Sequence, residues 1–230
     1  MSVVPSARAI ALIEQFEISG WGSYSPRVSW PGGASGLTIG CGYDCGYASP
    51  EQIGDDWHAL PAGTVMRLQS YAGRTGQSAA NALHGTSDII VPAPIARAVF
   101  EGRDIPRYSA MTAAAFPGCE HLPGDCFGAL VSLVFNRGAS MTDTNPNNRL
   151  EMRQIRDAIA ASNFAAVSGF IKQMKRLWVD KGLNGLLTRR DAEADLFEAG
   201  LSQVAAQFGQ VIPSLSTDDL NDKEFARVAP

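Results

Sequence analysis

Three histidines in 230 residues leave the chain little that titrates near neutrality, and His58, His84 and His121 each stand without a recognisable partner motif. A Cys-His peptidase is therefore a poor candidate, and the three read as surface or capping residues. The four cysteines, Cys41, Cys45, Cys119 and Cys126, lack the Cys-x-x-Cys spacing of zinc sites, so neither a metal nor another cofactor is expected. Their even number would permit disulfides in an oxidising compartment. Cys119 and Cys126 flank a compact loop and Cys41 and Cys45 flank Asp44, and either pair could instead stay free. There is no internal repeat, no transmembrane run and no stretch rich in Lys and Arg. With a net charge of −4 and a pI near 5.4, nucleic acid is not an expected partner. The first residues make a poor signal peptide, because Arg8 is the only early positive charge and Glu14 interrupts the apolar stretch.

What the chain does have is apolar content, 45% of its residues, which suffices for a sizeable core. Ile10, Leu12, Ile13, Phe16 and Ile18 alternate with Glu14, Gln15 and Glu17 as in an amphipathic helix that stops at Ser19-Gly20. Glu17 falls in the last turn, where the negative end of the helix dipole disfavours an ionised carboxylate, a setting that suits a general acid. The plain alternative is a solvated surface residue, and Glu14 is read that way. From Val28 to Tyr47 six glycines interleave with Leu37, Ile39 and Tyr43, which fits short strands and tight turns. Strand alternation places Thr38, Gly40 and Gly42 on one face and Leu37, Ile39, Cys41 and Tyr43 on the other. The face with small side chains leaves room for a sugar ring. Thr38 there could hold a water and Asp44 accept its proton, although each also fits an ordinary strand or turn role.

Further helices are expected around 94–104, 124–137, 149–160, 163–176 and 186–207, with two shorter ones around 50–57 and 64–72. The expected class is α+β, mainly α: a small N-terminal β-hairpin lobe at about 21–47 and a larger helical lobe at about 94–207. The whole forms one domain over 1–213, and a polar tail occupies 214–230.

Gly36-Leu37-Thr38-Ile39-Gly40-Cys41-Gly42-Tyr43-Asp44 resembles the Thr-Ile-Gly-x-Gly signature of phage-type lysozymes, the endolysin muramidase family. The Gly-Tyr-Asp ending and the step from Glu17 to Thr38 are nearer the pesticin-type branch. The run from Ala129 to Gly138 is similar to the central buried helix of that family, and Gly182 to Phe197 to its closing helix. These matches keep the family order from about Ile10 to Phe197.

The resemblance implies a lysozyme-like fold and a glycosidase that cuts the β-1,4 bond between N-acetylmuramic acid and N-acetylglucosamine in peptidoglycan. It assigns Glu17 as general acid, Thr38 as the residue that positions water and Asp44 as second acid. Tyr24-Ser25-Pro26 stands where the phage pattern carries an Asp, so the second carboxylate is Asp44 or the enzyme works with one acid. Arg189 matches an arginine that faces the site and could orient Glu17, its alternative being an exposed helix residue. Tyr24 and Trp30 could stack on sugars and Asn136 and Arg137 could line the groove, whereas Trp57 and Trp178 read as packing residues. For Trp30 the core is an equal alternative, and Asn136 and Arg137 equally fit a polar helix end before Gly138. A lytic transglycosylase and a non-catalytic wall-binding module are the rival readings.

A wall hydrolase without a signal peptide reaches its substrate as a holin-released endolysin, a bacteriocin or an injected effector. It would act, as a monomer and without membrane insertion, in the periplasm or wall of the target bacterium. An immunity protein or a secretion-system carrier would then be its partner besides peptidoglycan. The net negative charge supplies no long-range attraction to an acidic wall.

Overall fold

The computed structural model describes residues 4–211, so the tail expected at 214–230 lies outside the described residues. Helix α1 spans Ala7–Ile18. Its N-terminus is capped by Ser6, whose Oγ accepts from Ala9 N–H at 3.1 Å and itself donates to Asp125. Its C-terminus turns through Ser19 at φ 54° and Gly20 at φ 78°, and Gly20 N–H returns to the Glu14 carbonyl at 3.2 Å.

The hairpin follows, with β1 (Thr38–Ile39) antiparallel to β2 (Tyr43–Asp44) and register Thr38 to Asp44 and Ile39 to Tyr43. Isolated bridges from Ser29 to Thr38 and from Gly36 to Thr75 widen it. Leu37, Ile39, Cys41 and Tyr43 are buried while Thr38 and Gly40 are half-buried and Gly42 exposed, the alternation expected of the segment. Gly40 at φ 60° and Gly42 at φ 81° make the turn, so Cys41 sits between the strands rather than on one.

Helices α2 (Pro50–Asp56), α3 (Ala62–Gln69) and α4 (Gly76–Leu83) fold beside the hairpin. A capping box between Ser49 and Gln52, with Pro50 at the first position, starts α2. Together with Ala96 and Val99 of α5 (Ala93–Val99) these segments enclose a core around Leu37, Ile39, Trp57 and Leu68.

A second, larger core is helical. It lies between α1, α6 (Ile105–Ala115), α7 (Gly124–Arg137), α8 (Leu150–Ala160), α9 (Val167–Gln173) and α10 (Asn184–Val211). Helix α7 runs through its middle, with every residue from Asp125 to Val134 buried. Gly128 lets α1 approach closely, since a Cβ there would lie 2.1 Å from Ala9 Cβ.

One helical run links the two cores. Helix α5 passes through a π segment, Phe100–Asp104, into α6, and Ile105 N–H bonds the Phe100 carbonyl five residues back. Pro106, which has no N–H, stands next in the chain, and it is here that the α ladder is interrupted. Trp21 packs against both cores.

The fold is thus mainly helical, with a small antiparallel hairpin and a larger helical region. Helix α6 and helix α4 were not among the expected elements. The expected 163–176 helix is broken into α9 and flanking 3-10 turns at Phe164–Ala166 and Met174–Leu177. Among the described residues no helix is long and apolar enough to cross a membrane.

Candidate functional site

Glu17 ends α1 with its side chain 22% exposed, at the edge of a cavity of about 380 Å³ that Asn136, Leu183 and Arg189 also line. Its Oε1 accepts from Arg189 Nη1 at 2.6 Å, and the carboxyl makes no other hydrogen bond among the described residues. Arg189 is not an exposed residue of α10. It is buried, with Nε on Glu193 Oε1 at 3.1 Å and Nη2 on the Ser132 carbonyl at 3.1 Å. Glu193 Oε1 also accepts from Ser132 Oγ at 2.7 Å and from Arg190 Nη2 at 2.9 Å.

Two guanidiniums and two carboxylates therefore sum to zero formal charge beneath the groove. The bonds to α7 and within α10 fix the fork that Arg189 presents to Glu17. Asn136 joins this cluster by accepting from Arg190 Nη2 at 3.2 Å.

A second cavity, of about 280 Å³, is lined by Cys41, Asp44, Gln52, Arg103, Asp104, Tyr108 and Phe135 among others. Burial pushes the Cys41 thiol far above its ordinary range, and the negative charges of Glu17, Asp104 and Glu14 push it the same way. Tyr108 stacks on Phe135 with ring centroids 4.2 Å apart, and burial chiefly, with smaller contributions from Asp104 and Glu17, raises its hydroxyl pKa.

The carboxylate of Asp44 is held by backbone: Gly36 N–H donates to Oδ2 at 3.0 Å and Gly46 N–H to Oδ1 at 2.8 Å. It lines the second cavity while tying β2 to the segment that leads into β1. Thr38, its partner in register, is half-buried on the open face of the hairpin.

Tyr24 and Trp30 both pack against the core around the hairpin. The Tyr24 hydroxyl donates to the Val91 carbonyl at 3.0 Å, and burial pushes its pKa up to about 12. Trp30 Nε1 donates to the Ser35 carbonyl at 3.0 Å. Arg137 belongs to a neighbouring cavity of about 370 Å³, which shares Leu183 with the one at Glu17. It stacks on Trp178 at 4.9 Å, and burial lowers its pKa to about 10.

One expectation needs correction. Glu14 is buried, facing Arg97 Nη2 at 3.6 Å, because its position on α1 turns toward α5 rather than toward solvent. Of the two states the sequence left open for the cysteines, the structure has the free one: all four are unbridged and buried. Cys119 Sγ donates to the Thr112 carbonyl and Cys126 Sγ to the Phe197 carbonyl.

Asp104 and Ser132 were missed in the sequence. Ser132 lies inside an apolar run, and Asp104 follows the acid by a long interval with no motif around it. Among the described residues no group of three or more His, Cys, Asp or Glu side chains is arranged to hold a metal ion. Neither a protein-family model nor a curated protein matches the chain.

Proposed function

We propose that the protein is a lysozyme-like peptidoglycan hydrolase, a muramidase that cleaves the β-1,4 bond after N-acetylmuramic acid with Glu17 as general acid. The observation that carries this reading is the Glu17 carboxyl, at the edge of a cavity between α1, α7 and the start of α10, one oxygen clamped by a buried arginine and the other left without a protein partner. A carboxyl so held can deliver its proton to a glycosidic oxygen in a fixed direction, and general acid catalysis of this kind contributes typically 10²–10⁴-fold. The order of the Glu17, Thr38-Ile39-Gly40 and Arg189 segments supports the same reading. Its cellular setting would be lysis of a bacterial wall, as an endolysin, an antibacterial toxin or a delivered effector.

A lytic transglycosylase is the second reading, because both oxygens of Asp44 are engaged by backbone N–H groups. An enzyme with one acid would close the sugar's own hydroxyl onto the anomeric carbon instead of admitting water. Digestion of purified sacculi, with the soluble muropeptides resolved by mass spectrometry, decides. Reducing ends mean hydrolysis, and 1,6-anhydro ends mean transglycosylation. Glu17→Gln should lower the rate by about 10²–10⁴ while the circular dichroism spectrum is kept. A Glu17→Gln protein with full activity, or a wild type that releases no soluble product, refutes the enzymatic reading.

A further inference from the structure

The cavity adjoining the one at Glu17 holds more positive charge than the folded chain neutralises. Among the side chains that line it, Arg137, Arg149 and Lys181 are cations and Asp143 is the anion, in a chain whose net charge is −4. Arg149 Nε stands 4.0 Å from Asp143 Oδ2, beyond hydrogen-bond reach. The crowding of like charge is felt at Arg137, whose pKa is lowered by burial first and then by Arg149 and Arg190.

Backbone, not carboxylate, fixes the two guanidiniums. Arg137, the last residue of α7, donates through Nη2 to the Asn148 carbonyl, and Arg149 donates through Nη1 to the Arg137 carbonyl at 2.7 Å. Arg137 also lies over the Trp178 ring at 4.9 Å. Among the described residues, Arg137 Nη1 and Arg149 Nη2 have no acceptor, and both Nε atoms are buried without one. Charged donors held in place and left unpaired are costly, and a planar fork of this kind suits a carboxylate from outside the chain. Lys181 is exposed at the rim, with one N–H on the Leu177 carbonyl at 2.7 Å and donors to spare.

Direct contacts join this cavity to the acid. Leu183 lines both cavities, and Asn136, which lines the one at Glu17, is followed in α7 by Arg137. Arg190 ties them from beneath: it donates to Asn136 Oδ1 at 3.2 Å and lies 5.8 Å from the Trp178 ring that carries Arg137.

We infer that the cavity of Arg137, Arg149 and Lys181 is a subsite for a carboxylate of the peptide stem borne by N-acetylmuramic acid. This inference rests on the muramidase reading above. The stem branches from the sugar ring itself, so a glycan lying across the Glu17 cavity brings its acidic groups to the cavity beside it. The contact is made alike before and during the chemical step, and its effect belongs in KM.

The test is steady-state hydrolysis by the full-length protein of soluble glycan strands in three forms. One is native, one has its stem carboxylates converted to amides with carbodiimide and ammonia, and one has its stems removed by an amidase, which leaves a lactyl carboxylate on the sugar. Wild type, Arg149→Gln and Lys181→Gln are compared, with thermal denaturation as the folding control. Arg156→Gln is the control for charge alone, since Arg156 pairs with Asp157 at 2.8 Å on α8 and does not line the cavity. Wild type is expected to show a KM about tenfold lower on native strands than on amidated or stripped ones, the effect of a single charge-assisted contact. Arg149→Gln should abolish that preference and Lys181→Gln reduce it about threefold, each by raising KM on native strands, while Arg156→Gln keeps it. A wild type with equal KM on native and amidated strands overturns the inference. So does either folded variant that keeps the whole preference, or one that loses equally on native and amidated strands, as a merely structural residue would. If Arg149→Gln does not fold, the exposed Lys181→Gln decides alone. Stripped strands bound as tightly as native ones put the lactyl carboxylate in the cavity and overturn the assignment to the stem. If no strand yields product, the muramidase reading falls and this inference with it; hydrolysis of all three forms at equal KM removes this inference alone.

Discussion

Replacing Glu193 by Gln tests whether the charge cluster under the groove supports the fold as well as the site. The Glu193 carboxylate is fully buried, and its Oε1 accepts from Ser132, Arg189 and Arg190 at 2.7, 3.1 and 2.9 Å. The side chains of Arg189 and Arg190 are 4% and 0% exposed, so losing the anion leaves two guanidiniums out of water with only the rim carboxylate Glu17 as countercharge. Removing one member of a buried ionic group costs about 3–5 kcal/mol, and Gln, which keeps an acceptor oxygen, belongs at the lower end. For a chain of this size that corresponds to a melting-temperature drop of roughly 6–12 °C. The assay is thermal unfolding followed by circular dichroism, with Asp195→Asn as control. Asp195 pairs with Lys172 at 3.1 Å on the exposed face of the same helix and should leave the midpoint unchanged. A Glu193→Gln midpoint equal to that of wild type would refute the reasoning, because it would mean that the two arginines find their compensation elsewhere.

Gly36→Ala should destabilise by about 1–3 kcal/mol or more, since its Cβ would stand 2.2 Å from Asp44 Oδ1 and 2.5 Å from Gly46 N, and backbone cannot yield there; urea titration measures it. Asp104 has its pKa raised on folding from 3.8 to about 6, so the folded state binds its proton more tightly. Its contribution to stability is whole below about pH 4 and is lost as the pH rises through about 6, of the order of 2–3 kcal/mol. Asp104→Asn should flatten that loss in a series of unfolding curves, and a slope unchanged between pH 4 and 7 would contradict the assignment. Burial raises the thiols of Cys45, Cys119 and Cys126 to about 12, and Cys41 is pushed up as well, so Ellman's reagent should find no fast-reacting thiol in the native protein and all four in denaturant.

The sequence is a good guide where local chemistry and burial agree. Helix α7 matches its expected bounds of 124–137 because a mainly apolar stretch is followed by Asn136, Arg137 and then Gly138, which caps it at φ 73°. The hairpin alternation was legible for the same reason: the glycines fall where positive φ is required and the large side chains fall inside. Helix α6 was not, since Pro106 reads as a boundary in a window of sequence while the fold routes the helix past it through a π segment. Glu14 shows the limit for charge. Its position on α1 looks like a solvent position until Arg97, from a segment far along the chain, is laid over it. Asp104 has the same origin, because its neighbours Cys41, Asp56 and Tyr108 come together only in the folded chain.

The pairing of Glu17 with Arg189 joins residues 172 positions apart, and α1 lies against α7 and α10. During synthesis the N-terminal helix and the hairpin therefore leave the ribosome well before the arginine that clamps the acid has been translated. Contacts of such long range form late, and until they do Glu17 has no arginine to hold it. A chain truncated before α10 would carry the candidate acid, the threonine and the glycine turn and still have nothing to aim them with. The candidate site is thus assembled only once α10 has been made.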